Sequence, residues 1–237
     1  MDINSALNYV FDDEDCVPKV GLGGLLMLVP VLSFAAVGYE ARVIRNLVRG
    51  EPQPLPTWDD FGAMFRDGLW LGLARLIYSL PVLALLFCSV AVTVPYFFMA
   101  ESESQMQERL PLILMVCGGA GIILVIYAAI LGFFSPAVTI QYVRRGTFAA
   151  CFDFSAILRL IRHNFADYLT LWAVIIGINL VVGLILSVVS FFINLIPCLG
   201  SIAQFLLIGA STFWMLLVAG HLQAQLIRAD EARPAIY

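Results

Sequence analysis

The sequence predicts an all-α integral membrane protein. The expected parts are four spanning helices, an N-terminal re-entrant hairpin or fifth span, and amphipathic helices in the cytoplasmic interface. Three observations predict it. The 237-residue chain is 61% hydrophobic and 13% charged, with mean hydropathy +0.93, whereas a soluble domain carries about 25% charged residues. Its apolar residues fall into five long runs, 20–39, 69–99, 110–143, 168–196 and 199–227. Its arginines gather between those runs, and Arg75 is the one charge inside them. The net charge of -4, with basic residues in separate clusters, gives no nucleic-acid signature.

About 20 apolar residues cross a hydrocarbon core of about 30 Å. The last four runs reach that length with residues to spare for tilt. The first is different. Pro30 divides it into 20–29 and 31–38, and Arg42 follows closely. Each half reaches only about 15 Å as helix, which suits a re-entrant hairpin about as well as a span. Met1-Asp2-Ile3-Asn4 has no positive n-region, so insertion is expected to rely on the hydrophobic segments themselves. Five cysteines without C-x-x-C spacing argue against a disulfide framework or a zinc site.

Arginine placement predicts orientation. Arg42, Arg45, Arg49 and Arg66 precede the second run. Arg144, Arg145, Arg159 and Arg162 separate the third from the fourth, and Arg228 and Arg233 follow the fifth. The loop 100–109 sets Glu101, Glu103 and Glu108 against Arg109, and the turn around Pro197 is uncharged. The positive-inside bias places the arginine loops and the C-terminus in the cytoplasm.

Between the runs lie amphipathic segments. Thr57 is expected to cap a helix, with Asp60 as the capping-box acid. Trp58, Phe61, Phe65 and Leu69 then share one face. Phe154, Ile157, Leu158, Ile161 and Phe165 form a second apolar face beside Arg159, Arg162 and His163, and Ile3, Leu7, Val10 and Phe11 a third. The prolines 52–56 read as an extended connector.

A motif recurs. Phe11-Asp12-Asp13 is followed by Lys19 and Gly21, Trp58-Asp59-Asp60 by Arg66 and Gly68, and, more loosely, Phe152-Asp153-Phe154 by Arg159 and Arg162. Leu28-Val29-Pro30-Val31-Leu32 is echoed by Leu195-Ile196-Pro197-Cys198-Leu199. The chain therefore reads as a single membrane domain, 1–237, of three pseudo-repeats at about 1–50, 57–145 and 151–228. Each is an amphipathic helix followed by a hairpin, with the first hairpin cut short.

The segment Gly38-Tyr39-x-x-Arg42-Val43-Ile44-Arg45-Asn46-x-x-Arg49-Gly50-Glu51, then Leu55-Pro56-x-Trp58-Asp59-Asp60-Phe61 and Asp67-Gly68, resembles the hallmark of a prokaryotic multi-pass membrane family. That family is the domain of unknown function 4013. The resemblance is strongest over residues 20–85. It implies an integral membrane protein of bacteria or archaea, in the prokaryotic cell (inner) membrane, and supplies no reaction or substrate.

The residues themselves offer no catalytic, cofactor-binding or metal constellation. There is no G-x-S-x-G elbow. The two histidines, His163 and His221, lack metal-ligand spacing. Asn179 and Gln204 are intramembrane amides of the kind that hydrogen-bond between helices. Gly118-Gly119-Ala120-Gly121 and Gly68-x-x-x-Gly72 suit close helix approach. The expected interface for lipid headgroups or partner subunits is the basic belt of Arg42, Arg45, Arg49, Arg144, Arg145, Arg159 and Arg162, with Trp58. The expected function is non-enzymatic: an accessory or scaffold subunit of a membrane assembly, or a lipid-organising protein, with membrane lipids and other membrane-protein subunits as partners and no nucleic acid. A small pore or transporter at the repeat interface, lined by Asn179 and Gln204, is the alternative. A membrane enzyme would need Asp59, Asp60, Asp153 and His163 to converge.

Overall fold

The computed structural model describes residues 1–99, 102–195 and 199–233. Residues 100–101 and 196–198, with the predicted Pro197 echo, lie outside the described residues. Every regular element among the described residues is helical: α1 (Ile3–Asn8), α2 (Cys16–Met27), α3 (Ser33–Arg49), α4 (Phe61–Phe98), α5 (Glu103–Arg145), α6 (Phe154–His163), α7 (Phe165–Ile193) and α8 (Leu199–Ala232). Single 3-10 turns, Trp58–Asp60 and Phe148–Phe152, precede α4 and α6.

Among the described residues four helices are long and apolar enough to cross a membrane, and they match the last four apolar runs. Both α4, with 38 residues, and α5, with 43, extend to about 57 Å and 65 Å at 1.5 Å per residue. Either length exceeds the hydrocarbon thickness. The segment from Phe61 to Leu69, expected as a separate interfacial helix, is instead the opening of α4. Gly62 and Gly68 lie within the helix and its first proline comes only at Pro81, so the backbone ladder carries straight into the span. Pro81 and Pro95 sit inside α4, a placement that membrane helices tolerate.

The chain forms two compact units, residues 1–73 with 136–237, and residues 74–135. In the smaller unit the stretches of α4 and α5 that it holds pair: Tyr127 donates to the Tyr78 carbonyl at 2.8 Å, and Arg109 donates to the Tyr96 carbonyl at 3.1 Å.

In the larger unit α8 is the post on which the N-terminal segment is laid. Asp2 and Gln225 exchange two hydrogen bonds of 2.7 and 2.8 Å, and the Tyr9 hydroxyl donates to the Leu217 carbonyl at 2.8 Å. Gly24 meets the backbone at Ala210, and Leu28 lies against Gly209. So α1 and α2 descend antiparallel to α8. The chain turns through Pro30, and α3 returns parallel to α8. Glu40 and Ile44 face Gly220, and Arg228 donates to the Leu47 carbonyl.

Glycines make the closest approach. A Cβ on Gly38 would overlap the Met64 carbonyl on α4, and one on Gly68 would overlap the Phe34 carbonyl on α3.

The helix ends follow from sequence. Gly50 and Gly146 stop α3 and α5 in the left-handed region, with φ of 75° and 66°, where only glycine sits without a Cβ penalty. The predicted Thr57 capping box does not form. Thr57 donates instead to Asp59 at 2.6 Å, and Asp60 accepts from the Ala63 N–H at the start of α4. Asp153 serves α6 in the same way, accepting from Ala156 N at 3.0 Å. Two further faces differ from expectation. On α1 the buried side is Ala6, followed by Tyr9 and Val10, while Ile3 and Phe11 are exposed, because the helix ends at Asn8. On α6, Ala156, Ile157, Leu160 and Ile161 are buried against protein, leaving Phe154 and Leu158 exposed. The apolar arc is wider than the one contact that covers it.

The Asp153 cap carries a pH dependence. The Ser155 hydroxyl, the Ala156 N–H and the Arg145 guanidinium, in that order, hold its carboxyl well below the usual carboxylate range. A carboxyl depressed in the folded state contributes stability in full above its unfolded pKa of about 4, and that contribution fades as pH falls through the folded value. Amide exchange in the first turn of α6 is therefore expected to accelerate below about pH 4 relative to the last turn. Asp153→Ala should show that faster first-turn exchange already at neutral pH.

Candidate functional site

The hallmark segment is a clasp that fastens α3 to α4. Gly38 permits the crossing. Next to it, Tyr39 stacks on Trp58 with ring centroids 4.5 Å apart and donates to the Pro56 carbonyl at 2.8 Å. Trp58 in turn donates its indole N–H to the Lys19 carbonyl at 3.2 Å, and Asn46 donates to the Pro54 carbonyl at 3.1 Å. Lys19 bridges Asp13, at 2.7 Å, and the Leu55 carbonyl, at 3.2 Å. The proline stretch is thus strapped down at three points, with Leu55 buried, and is more than a connector.

Charge pairs complete the clasp. Arg42 and Asp60 meet at 2.6 Å, and Arg45 and Asp67 also at 2.6 Å. The Tyr142 hydroxyl donates to the other Asp67 oxygen at 3.0 Å, and the Arg45 guanidinium lies 5.6 Å from the Tyr142 ring centre. Asp67 therefore ties α3, α4 and the end of α5 together. Arg49, one turn beyond, is exposed and only 3.8 Å from Glu51.

A second cluster forms where α5 ends, α6 begins and α8 ends. Arg144 pairs with Asp230 at 2.6 Å, and Arg145 with Asp153 at 2.7 Å. The buried Asn164 donates to the second Asp230 oxygen, and Arg233 donates to Asn164 and to Asp167. Arg144, Arg145 and Arg159 line a recess of about 490 Å³ together with Gln141, His163 and Asp230. Arg162 lies on an adjoining, more open surface with Ser155 and Leu158. Arg159 and Arg162 are exposed, and no described carboxylate lies within 4.0 Å of either.

The structure thus divides the predicted belt. Arg42, Arg45 and Trp58 belong to the clasp, Arg144 and Arg145 are ion-paired beside the recess, and Arg49, Arg159 and Arg162 are exposed. The groups around them, Asp67, Tyr142, Asn164 and Asp230, carry no spacing signal, because each lies 22 to 86 residues from the group it meets. The intramembrane polar residues are satisfied nearby. Asn179 donates to the Ile175 carbonyl of its own helix at 2.7 Å, and Asn194 donates to Gln204 at 2.6 Å. His221 lies against Tyr9 in a tilted ring contact with centroids 4.6 Å apart, and its Nδ1 lies 3.1 Å from the Gln225 amide nitrogen. The buried Glu40 accepts from Gln223 at 3.3 Å, a polar contact that the apolar runs did not reveal. Among the described residues no group of three His, Cys, Asp or Glu side chains could hold a metal ion.

No curated protein and no solved structure matches the chain. The family described as "Protein of unknown function (DUF4013)" matches residues 22–191, a stretch that contains the hallmark segment from Gly38 to Gly68, all of α4 and α5, and α7 up to Phe191. The chain belongs to that family.

Proposed function

We propose that the protein is a non-enzymatic membrane scaffold, an accessory subunit of a larger assembly in a prokaryotic inner membrane. The observation that carries this reading is a contrast between two sets of glycines. Gly24, Gly38, Gly68 and Gly209 are filled by neighbouring helices of the larger unit. Gly118, Gly119 and Gly121 on α5, and Gly177 and Gly183 on α7, meet nothing within 4 Å of an added Cβ inside their own units. Small residues on spanning helices permit close helix approach, and these are apolar, glycine-bearing faces on spanning segments. Neighbouring subunits and membrane lipids are the partners. The local hydrogen bonds of Asn179 to the Ile175 carbonyl and of Asn194 to Gln204 favour this over a pore lined by Asn179 and Gln204.

Several finer features accompany the proposal. Arginine placement supports a cytoplasmic C-terminus. Asp2 and Leu47 lie at the same level of α8, beside Gln225 and Arg228, which supports a hairpin that enters and leaves on one side. Asp13, Asp60 and Asp153 each precede a helix, with Lys19, Arg66 and Arg159 six residues on. That common offset supports three related units and shifts the third by one residue from an alignment on Phe152.

Cross-linking in native membranes tests the proposal. Gly119→Leu combined with Gly177→Leu is expected to remove partner adducts while changing unfolding by no more than about 0.5 kcal/mol, the usual range for exposed substitutions. A wild-type chain that yields only uncross-linked monomer at every reagent concentration sinks it.

A further inference from the structure

We infer that the recess between α6 and the end of α5 is an anion site that takes the phosphate of an anionic phospholipid headgroup. Its lining holds the guanidiniums of Arg144, Arg145 and Arg159 against the single carboxylate of Asp230. Both Asp230 oxygens are engaged, one by Arg144 and the other by Asn164. Arg145 is shared with Asp153. Arg159 has no described carboxylate, and neither does Arg162 at the adjoining rim, so the positive charge of α6 is uncompensated.

The cause lies in the cap. Before α2, Asp13 takes the cation six residues on, Lys19. Before α6, the equivalent Asp153 is held by Ser155, the Ala156 N–H and Arg145, which leaves Arg159 directed outward. Ser155, Arg159 and Arg162 then follow one face of α6 at intervals of four and three residues, with His163 four residues after Arg159. Guanidinium forks match phosphate oxygens bidentately. The recess volume, about 490 Å³, falls in the range of small-molecule sites.

The surroundings favour a lipid as the source of the phosphate. Phe154 and Leu158 on α6, and Phe165 and Leu169 at the start of α7, are exposed large apolar side chains. The span α7 begins two residues after His163, which puts the recess at the level where headgroups lie. Acyl chains cover those four side chains when a lipid occupies the site, whereas a soluble phosphate ester leaves them in water. The inference rests on the membrane placement of α7, and not on partner association.

The test uses the full-length protein reconstituted in nanodiscs of equal phosphatidylcholine and phosphatidylglycerol, with retained lipid identified by native mass spectrometry. Phosphatidylglycerol is expected to be enriched over phosphatidylcholine. Arg159→Gln combined with Arg162→Gln should reduce its affinity about thirtyfold, at roughly 1 kcal/mol per basic residue and 1.4 kcal/mol per decade. Arg66→Gln, at the equivalent offset in α4, should leave the enrichment intact. Equal loss with Arg66→Gln overturns the site in favour of a diffuse belt. A parallel arm titrates inorganic phosphate and glycerol phosphate against thermal unfolding in uncharged detergent. Saturable stabilisation that the double variant loses, without lipid enrichment, overturns the lipid assignment in favour of a soluble anion. No response in either arm overturns the anion site. Partner adducts are read separately by cross-linking, so failure here leaves the scaffold reading to its own test.

Discussion

Replacing Gly38 or Gly68 with alanine is expected to lower stability by about 3 kcal/mol or more, at the upper end of overpacking costs. The single added carbon meets backbone, not a side chain. At Gly38 it overlaps the Met64 carbonyl and approaches the Gly68 nitrogen; at Gly68 it overlaps the Phe34 carbonyl. A side chain could rotate away, but two helical backbones can only separate. Separation of α3 from α4 also pulls apart Tyr39 and Trp58 and lengthens the Arg42–Asp60 and Arg45–Asp67 pairs, so the loss propagates through the clasp. Gly119→Ala and Gly177→Ala are the matched controls. Their added Cβ meets nothing within its own unit, and alanine is the better helix former by about 1 kcal/mol. Reversible unfolding in mixed detergent micelles measures the difference. Gly38→Ala unfolding together with wild type would refute the close crossing.

Asp67→Ala is expected to cost about 2–3 kcal/mol, somewhat below the range for fully buried pairs. The Asp67 side chain is 15% exposed and that of Arg45 23%, so water screens part of the effect. Two donors lose their acceptor at once, the Arg45 guanidinium and the Tyr142 hydroxyl. Asp67→Asn should cost less, because a carboxamide oxygen still accepts from one of them. Asp67→Leu with Arg45→Met should recover part of the loss, since a buried pair removed whole leaves no stranded charge. The same unfolding assay, arranged as a double-mutant cycle, gives the coupling. Additive single effects would contradict the pairing. The Arg42–Asp60 pair, whose carboxylate is 61% exposed, should respond least.

The spans were legible because apolar length alone determines them: the last four runs and α4, α5, α7 and α8 coincide to within a few residues at most of their ends. Helix stops were legible in Arg49-Gly50 and Arg145-Gly146, whose glycines take positive φ. Less legible was what interrupts amphipathic periodicity. The pattern from Trp58 to Leu69 fits an interfacial helix and the opening turns of a span equally well, because both present one apolar face. The belt of arginines was visible as composition, but its division was not. Sequence places Arg45 and Arg159 in the same class, and only the fold brings Asp67 and Tyr142 to the first while leaving the second facing outward. The proline stretch read as a connector because its anchors Tyr39, Asn46 and Lys19 act through backbone carbonyls, which any sequence supplies.

The packing of α1, α2 and α3 on α8 has a consequence for synthesis. The N-terminal segment is made first, yet its contacts at Asp2, Tyr9 and Leu47 are with residues 181 to 223 positions later. At about 5–20 residues per second, the stretch from Tyr39 to Gly209 takes on the order of 10–30 s to emerge. Throughout that interval the hairpin has its apolar sides without their partner. Closure of the larger unit therefore waits for α8, and a chain halted before it leaves α1, α2 and α3 uncovered.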